Sequence, residues 1–212
     1  MNIRQIINTV ANLSNGMDEA SASDIPAYLE NVNLAHSELY TLIYSFNLPA
    51  FLKKVVIQSD AATINDVLFV YSVAIDGQPK PLKKAFYHEL ILTDPSLSKV
   101  GSPSEYYCTE SANTWTFGLY PASDVPVSLI VHYVPQPVDL KLDDEEAAIP
   151  YPRMWHNLLV DGAIYYAIQA DEGFNSTVDI KIYTSRWEKA KSQFLANRLA
   201  NKNRSIRTFS NV

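Results

Sequence analysis

The sequence predicts an α+β fold: a helical bundle split between the two ends of the chain, with a β-rich domain inserted between its halves. Three observations predict it. Apolar residues recur at helical spacing over residues 3–46 and again over 150–199. Between them, stretches such as 114–120 and 127–134 alternate with a period of two, as a sheet with one buried face requires. Helices at both termini cannot bury their stripes alone, and pack most simply on each other as a four-helix unit. The expected division is therefore 1–49 for the N-terminal helices, 50–149 for the inserted β-rich domain, 150–199 for the helices that complete the bundle, and 200–212 for a basic tail.

Taken in order, Ile3, Ile6, Ile7, Val10 and Leu13 share one helical face, and Asn15-Gly16 supplies a stop. Residues 17–23 are a polar connection. Asp24 stands near the N-cap of a second helix with Pro26 in its first turn. Its apolar set is Ile25, Leu29, Val32, Ala35 or His36, Leu39, Leu42, Ile43 and Phe46, a stripe about 20 residues and so roughly 30 Å long. Leu48-Pro49 ends it. Residues 51–59 and 67–75 are short and rich in β-branched and aromatic side chains, and read as strands. Asp76-Gly77 is a turn. Residues 82–92 fit either a short helix burying Ala85, Phe86 and Leu90 or a strand, with the helix favoured.

Residues 105–109, 114–120 and 127–134 complete the strands, with Trp115, Phe117 and Leu119 on one face of theirs and Val127, Leu129, Val131 and Tyr133 on one face of the last. Pro135 through the acidic run ending at Glu146 reads as a polar bridge. After Ile149-Pro150-Tyr151-Pro152 a helix runs to Ala170, and Gly162 within it implies the close approach of a neighbour. Residues 171–176 are a turn, and 177–199 form a last long helix. Residues 200–212 are polar, basic and expected to be loose in the free monomer.

Composition narrows the function. The 212 residues carry 17 Lys+Arg against 23 Asp+Glu, a net charge of −6, which argues against a general nucleic-acid binder. The single cysteine, Cys108, has no partner for an internal disulfide. His36, His88, His132 and His156 are scattered and lack zinc-ligand spacing. No apolar run approaches 18 residues and the N-terminus has no continuous hydrophobic signal core, so a soluble protein is expected. Nucleophile-elbow, phosphate-loop, Cys-x-x-Cys and His-Glu-x-x-His patterns are all absent from the sequence. Neither catalytic residues nor a cofactor or metal is expected.

Individual candidates read the same way. The run Asp143, Asp144, Glu145 and Glu146 reads as a solvated connection in preference to an interaction surface or a hard-cation site, because consecutive carboxylates point in different directions. His156 reads as a packed or helix-capping histidine, His132 as facing the less buried side of its strand, and Cys108 as structurally buried.

The thirteen tyrosines are more telling, since Tyr and Trp are enriched at protein interfaces. Tyr151, Trp155, Tyr165, Tyr166, Tyr183 and Trp187 all fall in the C-terminal helical half, more aromatic bulk than one small helical core easily absorbs. Both a core and a subunit interface are open to them; Tyr151, Trp155, Tyr166, Tyr183 and Trp187 are the interface candidates. Charge is also uneven. Arg186, Lys189, Lys191, Arg198, Lys202, Arg204 and Arg207 stand against Glu188 alone, +6 within 186–207, which leaves −12 for the rest. Opposed fields suit self-association or docking on a complementary partner; a solvated positive face that complements the helix dipole is the plainer reading.

With those residues in view, the layout resembles the head-to-tail adaptor proteins of tailed bacteriophages, including the tail-tubular A and gatekeeper-like proteins. Three stretches carry the likeness: residues 48–55 (LPAFLKKV) as the entry to the inserted region; Leu119-Tyr120-Pro121 followed by 127–135 and Asp139-Leu140; and 149–152 (IPYP) with 155–163 (WHNLLVDGA). The Trp187-Glu188-Lys189-Ala190 helix has the matching position. The resemblance implies a ring, commonly of twelve copies, in the neck or tail region of the virion and assembled in the host cytoplasm. It also implies partners in the portal protein and the next tail protein, with DNA passing through the channel without specific binding and no membrane involved. The C-terminal segment, with Arg198, Lys202, Arg204 and Arg207, would then reach toward the portal. Two other classes stay open on residues alone: a non-viral protein–protein adaptor module, and a small hydrolase-like enzyme, which would need a concave pocket with perturbed titratable groups.

Overall fold

The computed structural model describes residues 1–15, 18–44, 51–58, 61–111, 113–170 and 180–208. Its elements run α1 (Ile3–Asn15), α2 (Ile25–Ile43), β1 (Lys53–Gln58), β2 (Ala61–Asn65), β3 (Val67–Ile75), β4 (Lys83–Lys84), α3 (Tyr87–Thr93), β5 (Glu105–Ser111), β6 (Thr114–Tyr120), β7 (Ser128–Pro135), α4 (His156–Ala170) and α5 (Ile180–Thr208). Short 3₁₀ turns lie at Glu146–Ala148 and Arg153–Trp155. The fold is α+β, with terminal helices packed together and a β-sheet region inserted between them. Two compact units result, one of Met1–Ala50 with Pro137–Val212, the other of Phe51–Gln136.

In the helical unit α4 packs on α1, α2 and α5. The α1 stripe is fully buried at Ile3, Ile6, Ile7 and Val10, each contributing at most about 1.5–3 kcal/mol of transfer free energy. On α2 the buried set is Tyr28, Val32, Ala35, His36, Leu39, Tyr40 and Ile43, so both Ala35 and His36 face inward. Asp24 is the N-cap residue by position, but its carboxylate accepts from Ser21 Oγ at 2.6 Å instead of capping the helix. Phe46, the Leu48-Pro49 stop, the 171–176 turn and the start of the last helix at 177 lie outside the described residues.

The helical unit also takes in residues 137–149, which the sequence reading gave to the insertion. Asn33 is the reason: its Nδ2 donates to the Leu140 carbonyl at 3.1 Å and its Oδ1 accepts from the Leu140 amide at 2.8 Å. That pair fixes an otherwise irregular strand of chain on α2 and buries the Leu140 side chain. The acidic run beyond it stays solvated, with Asp143 and Glu145 exposed, and makes ion pairs at the surface. Asp143 pairs with Arg4 at 3.5 Å, and Glu146 with the Met1 amine at 2.8 Å and Arg153 at 3.4 Å.

The inserted unit holds two sheets around one core. One has strand order β1-β7-β3, the other β2-β6-β5-β4. All pairings are antiparallel except β4 with β5. Phe117, Leu129, Val131 and Val73 are fully buried at the centre, with Cys108, Trp115 and Tyr133 partly buried around them. On β3 the buried residues Val67, Val70 and Val73 are spaced by three, which a regular strand cannot place on one face. Register irregularities at Val67/Phe69 and Val70/Ser72 bring them back to the core side, as β-bulges do. Against β5, Tyr107 lies across Gly118, leaving no room for a side chain there.

Three sequence expectations are corrected here. Residues 82–92 are neither one helix nor one strand: β4 pairs briefly with β5, then α3 begins, and of Ala85, Phe86 and Leu90 only Leu90 is buried while Phe86 is 60% exposed. Strand β2 was not anticipated, because AATIN carries only one large apolar residue, Ile64. Finally, α5 continues to Thr208 where a loose tail was expected from residue 200. Residues 200–208 contain no Gly or Pro to stop a helix, and cations near a helix C-terminus complement its dipole.

Candidate functional site

The helical unit gathers most of the residues singled out by sequence. Its centre is Gly162 on α4. A Cβ placed there would stand 2.8 Å from the Ala35 Cβ of α2 and 2.9 Å from the Trp187 ring of α5. Three helices meet at one bare backbone position, so Ala35, Gly162 and Trp187 set how closely they approach.

Tyr151 and Trp187 are thereby removed from the interface candidates. Trp187 is fully buried against Gly162, and Tyr151 is 4% exposed. Tyr151 anchors a buried polar cluster instead. His36 Nδ1 lies 2.8 Å from the Tyr151 hydroxyl, and His156 Nε2 donates to the Tyr151 carbonyl at 3.2 Å. Burial pushes His36 down to about 4, against a hydrogen bond to the Val138 backbone and the charge of Asp139, which pull the other way. His36 is therefore neutral near pH 7, and its Nδ1 accepts the tyrosine proton; burial also holds the Tyr151 phenol far above its ordinary range. His156 is buried and packed, shifted downward by the same cause.

The other aromatic candidates keep accessible edges. Trp155 meets Phe194 edge-on at 5.6 Å, and Tyr183 lies under the Arg186 guanidinium at 5.9 Å; both are half-buried. Tyr166 is half-buried and donates to Glu38 Oε2 at 2.6 Å. Glu38 Oε1 pairs with Lys191 at 3.1 Å, Lys191 also meets Glu188 at 2.9 Å, and its ammonium sits 5.2 Å from the Tyr165 ring. This clamp ties α2, α4 and α5 together through one carboxylate. Burial opposes the Lys191 charge, yet Glu188 and Glu38 outweigh it and hold its pKa above the ordinary value. Sequence reasoning missed Glu38; its only signal was a position three residues beyond Ala35 on a helix already read as packed.

Asp161, next to Gly162, is a buried carboxyl pushed up to about 6 by desolvation, with Arg186 pulling it back. The exposed side of α5 carries a shallow depression of about 480 Å³ lined by Lys181, Ile182, Ser185, Arg186 and Lys189. Of the tail cations, Arg198, Lys202, Arg204 and Arg207 all belong to the C-terminal stretch of α5.

Away from this unit, Ser72 Oγ lies 3.2 Å from His132 Nδ1 on the two paired strands β3 and β7. Cys108 is half-buried, with its thiol pushed up by burial, and so lacks the depressed pKa of a reactive cysteine. Among the described residues no three His, Cys, Asp or Glu side chains gather to hold a metal ion, and no helix is long and apolar enough to cross a membrane.

Comparison with known proteins gives one family: the model described as SU10 adaptor protein matches residues 1–209. No curated protein matches the chain.

Proposed function

Because the chain belongs to the SU10 adaptor family, the structural head-to-tail connectors of phage, we propose that it is a ring-forming adaptor between the portal and the tail. The observation that carries the reading is the reach of the family match, which takes in both helical halves and the inserted β unit together. In this reading the protein is a non-enzymatic part of the virion neck, assembled in the host cytoplasm. Copies of the helical unit stand side by side around a channel, commonly twelve of them. Trp155, Tyr166 and Tyr183, half-buried at its edges, contribute to the contact between copies. The C-terminal stretch of α5 reaches the portal through Arg198, Lys202, Arg204 and Arg207, and the β unit meets the next tail component. A net charge of −6 suits a wall along which DNA slides without specific binding.

Mass photometry of the purified protein from nanomolar to micromolar concentration, alone and with a portal ring, tests this. Discrete particles near twelve times 23.8 kDa, or that mass added to the portal, are expected. A lone monomer that adds no mass to the portal would overturn the ring.

A further inference from the structure

The exposed face of α5 and the segment leading into the first 3₁₀ turn have opposite charge and matching chemistry. On α5, Lys181, Ser185 and Lys189 follow each other at four-residue intervals and so share a face, with Ile182 and Arg186 beside them. Ile182 is 46% exposed at the edge of the depression, an apolar side chain among three cations. Facing solvent elsewhere in the same helical unit, Val138 is 78% exposed and is followed by exposed Asp139, Asp143 and Glu145.

That acidic segment is not a free loop. Asn33 grips the Leu140 backbone from both sides, the Leu140 side chain is buried, and the Lys141 amide donates to Asp144 at 2.7 Å. Its backbone is held in place before any partner arrives, which lowers the ordering cost of an interface. Among the described residues Lys189 forms no ion pair, and the one ion pair of Asp143 is a surface contact with Arg4, worth little where both groups are this exposed.

We infer that residues 138–145 of one copy seat on the Lys181–Lys189 face of α5 in the next copy, Val138 against Ile182 and the carboxylates against Lys181, Arg186 and Lys189. The two surfaces are different patches of one chain, so the contact is heterologous and repeats head to tail, closing a ring or extending a filament. Opposite charge sets the register and speeds encounter, while the small apolar pair at the centre excludes water. The inference rests on the self-assembly reading above and adds which faces meet.

The test mixes full-length protein of natural and heavy nitrogen isotope content, treats it with a zero-length carbodiimide cross-linker, and reads the linked peptides by mass spectrometry. Mixed-isotope links from Lys189 to Asp139, Asp143 or Glu145 are expected. Two charge-reversed variants complete it: Ser185→Glu with Lys189→Glu on one face, and Asp143→Lys with Glu145→Lys on the other. Each alone should lose at least about tenfold in association, with an unchanged circular dichroism spectrum and melting temperature. Mixed together they restore assembly, because each supplies the surface that complements the other. Assembly of both variants like the parent protein would overturn this contact and leave the ring standing. Variants that weaken but fail to rescue each other would also overturn it. A parent protein with no mixed-isotope links and a single monomer mass, both alone and with a portal ring, would overturn both.

Discussion

The indole of Trp187 lies on the bare backbone of Gly162, so close that a Cβ on residue 162 would stand 2.9 Å from Cη2 and Cζ3 of the ring. The same Cβ would meet Ala35 at 2.8 Å. Neither neighbour can yield easily: Ala35 is a short side chain on α2, and Trp187 is fully buried. Gly162→Leu should therefore destabilise the helical unit by about 1–3 kcal/mol through overpacking. Gly162→Ala should also lose stability, even though alanine favours a helix by roughly 1 kcal/mol over glycine. Urea denaturation followed by circular dichroism checks both. An unchanged midpoint in the leucine variant would show that the three helices do not need this approach.

Two buried groups beside that contact give opposite pH dependence. His36 titrates near 4 in the fold and near 6.5 when free. The unfolded chain thus binds a proton first, and the stability from neutral His36 is full above about 6.5 and lost as pH falls toward 4. At full effect this is on the order of 3 kcal/mol. Asp161 runs the other way, held near 6 against 3.8 when free. Its contribution is full below about 3.8 and lost as pH rises through 6. Asp161→Asn should therefore raise the melting temperature at pH 7 and change it little at pH 4, with a steeper acid loss between. Parallel melting curves for variant and parent would remove Asp161 from the balance. Tyr151→Phe should cost about 1–3 kcal/mol at pH 7, because it leaves His36 Nδ1 buried without a donor.

The Glu38 clamp is a separate contribution to the same unit. Its carboxylate accepts from Tyr166 on α4 and pairs with Lys191 on α5. Both ionic partners are partly exposed, so a double-mutant cycle of Glu38→Gln with Lys191→Met should give a coupling of only about 0.5–1 kcal/mol. That coupling should shrink further between 0.05 and 1 M salt. A cycle that closes to zero at low salt would mean that the pair is an incidental contact.

Period and propensity made the main elements legible. Residues 67–75 and 114–120 are strands over the whole expected range, and the α1 stripe is buried at Ile3, Ile6, Ile7 and Val10, with Leu13 only half-buried at its end. Local pattern failed where the decisive partner is distant in sequence. Residues 137–149 look like a linker until Asn33, 107 positions away from Leu140, supplies the backbone bonds that irregular chain needs. Aromatic surplus has the same weakness: it says that Tyr151 and Trp187 bury large areas, and only the placement of His36 and Gly162 says against what. The bulges of β3 are invisible for a related reason, since VLFVYSVAI offers apolar residues to both faces.

The last helix raises the question of what its final turns contribute. Among the residues of α5 whose burial is described, the buried anchors are Trp187, Ala190 and Phe194, all well before residue 200. A chain ending after Leu199 loses none of them, nor the Lys191 clamp, and should melt within about 0.5 kcal/mol of the parent, as changes away from packed features do. It does lose Lys202, Arg204 and Arg207. If those cations dock on the portal, the truncated chain should bind a portal ring more weakly in biolayer interferometry, with a shallower dependence on salt. Equal portal binding by both chains would take the docking role away from this stretch. A fall in melting temperature would instead show that residues 200–208 belong to the packed part of the bundle.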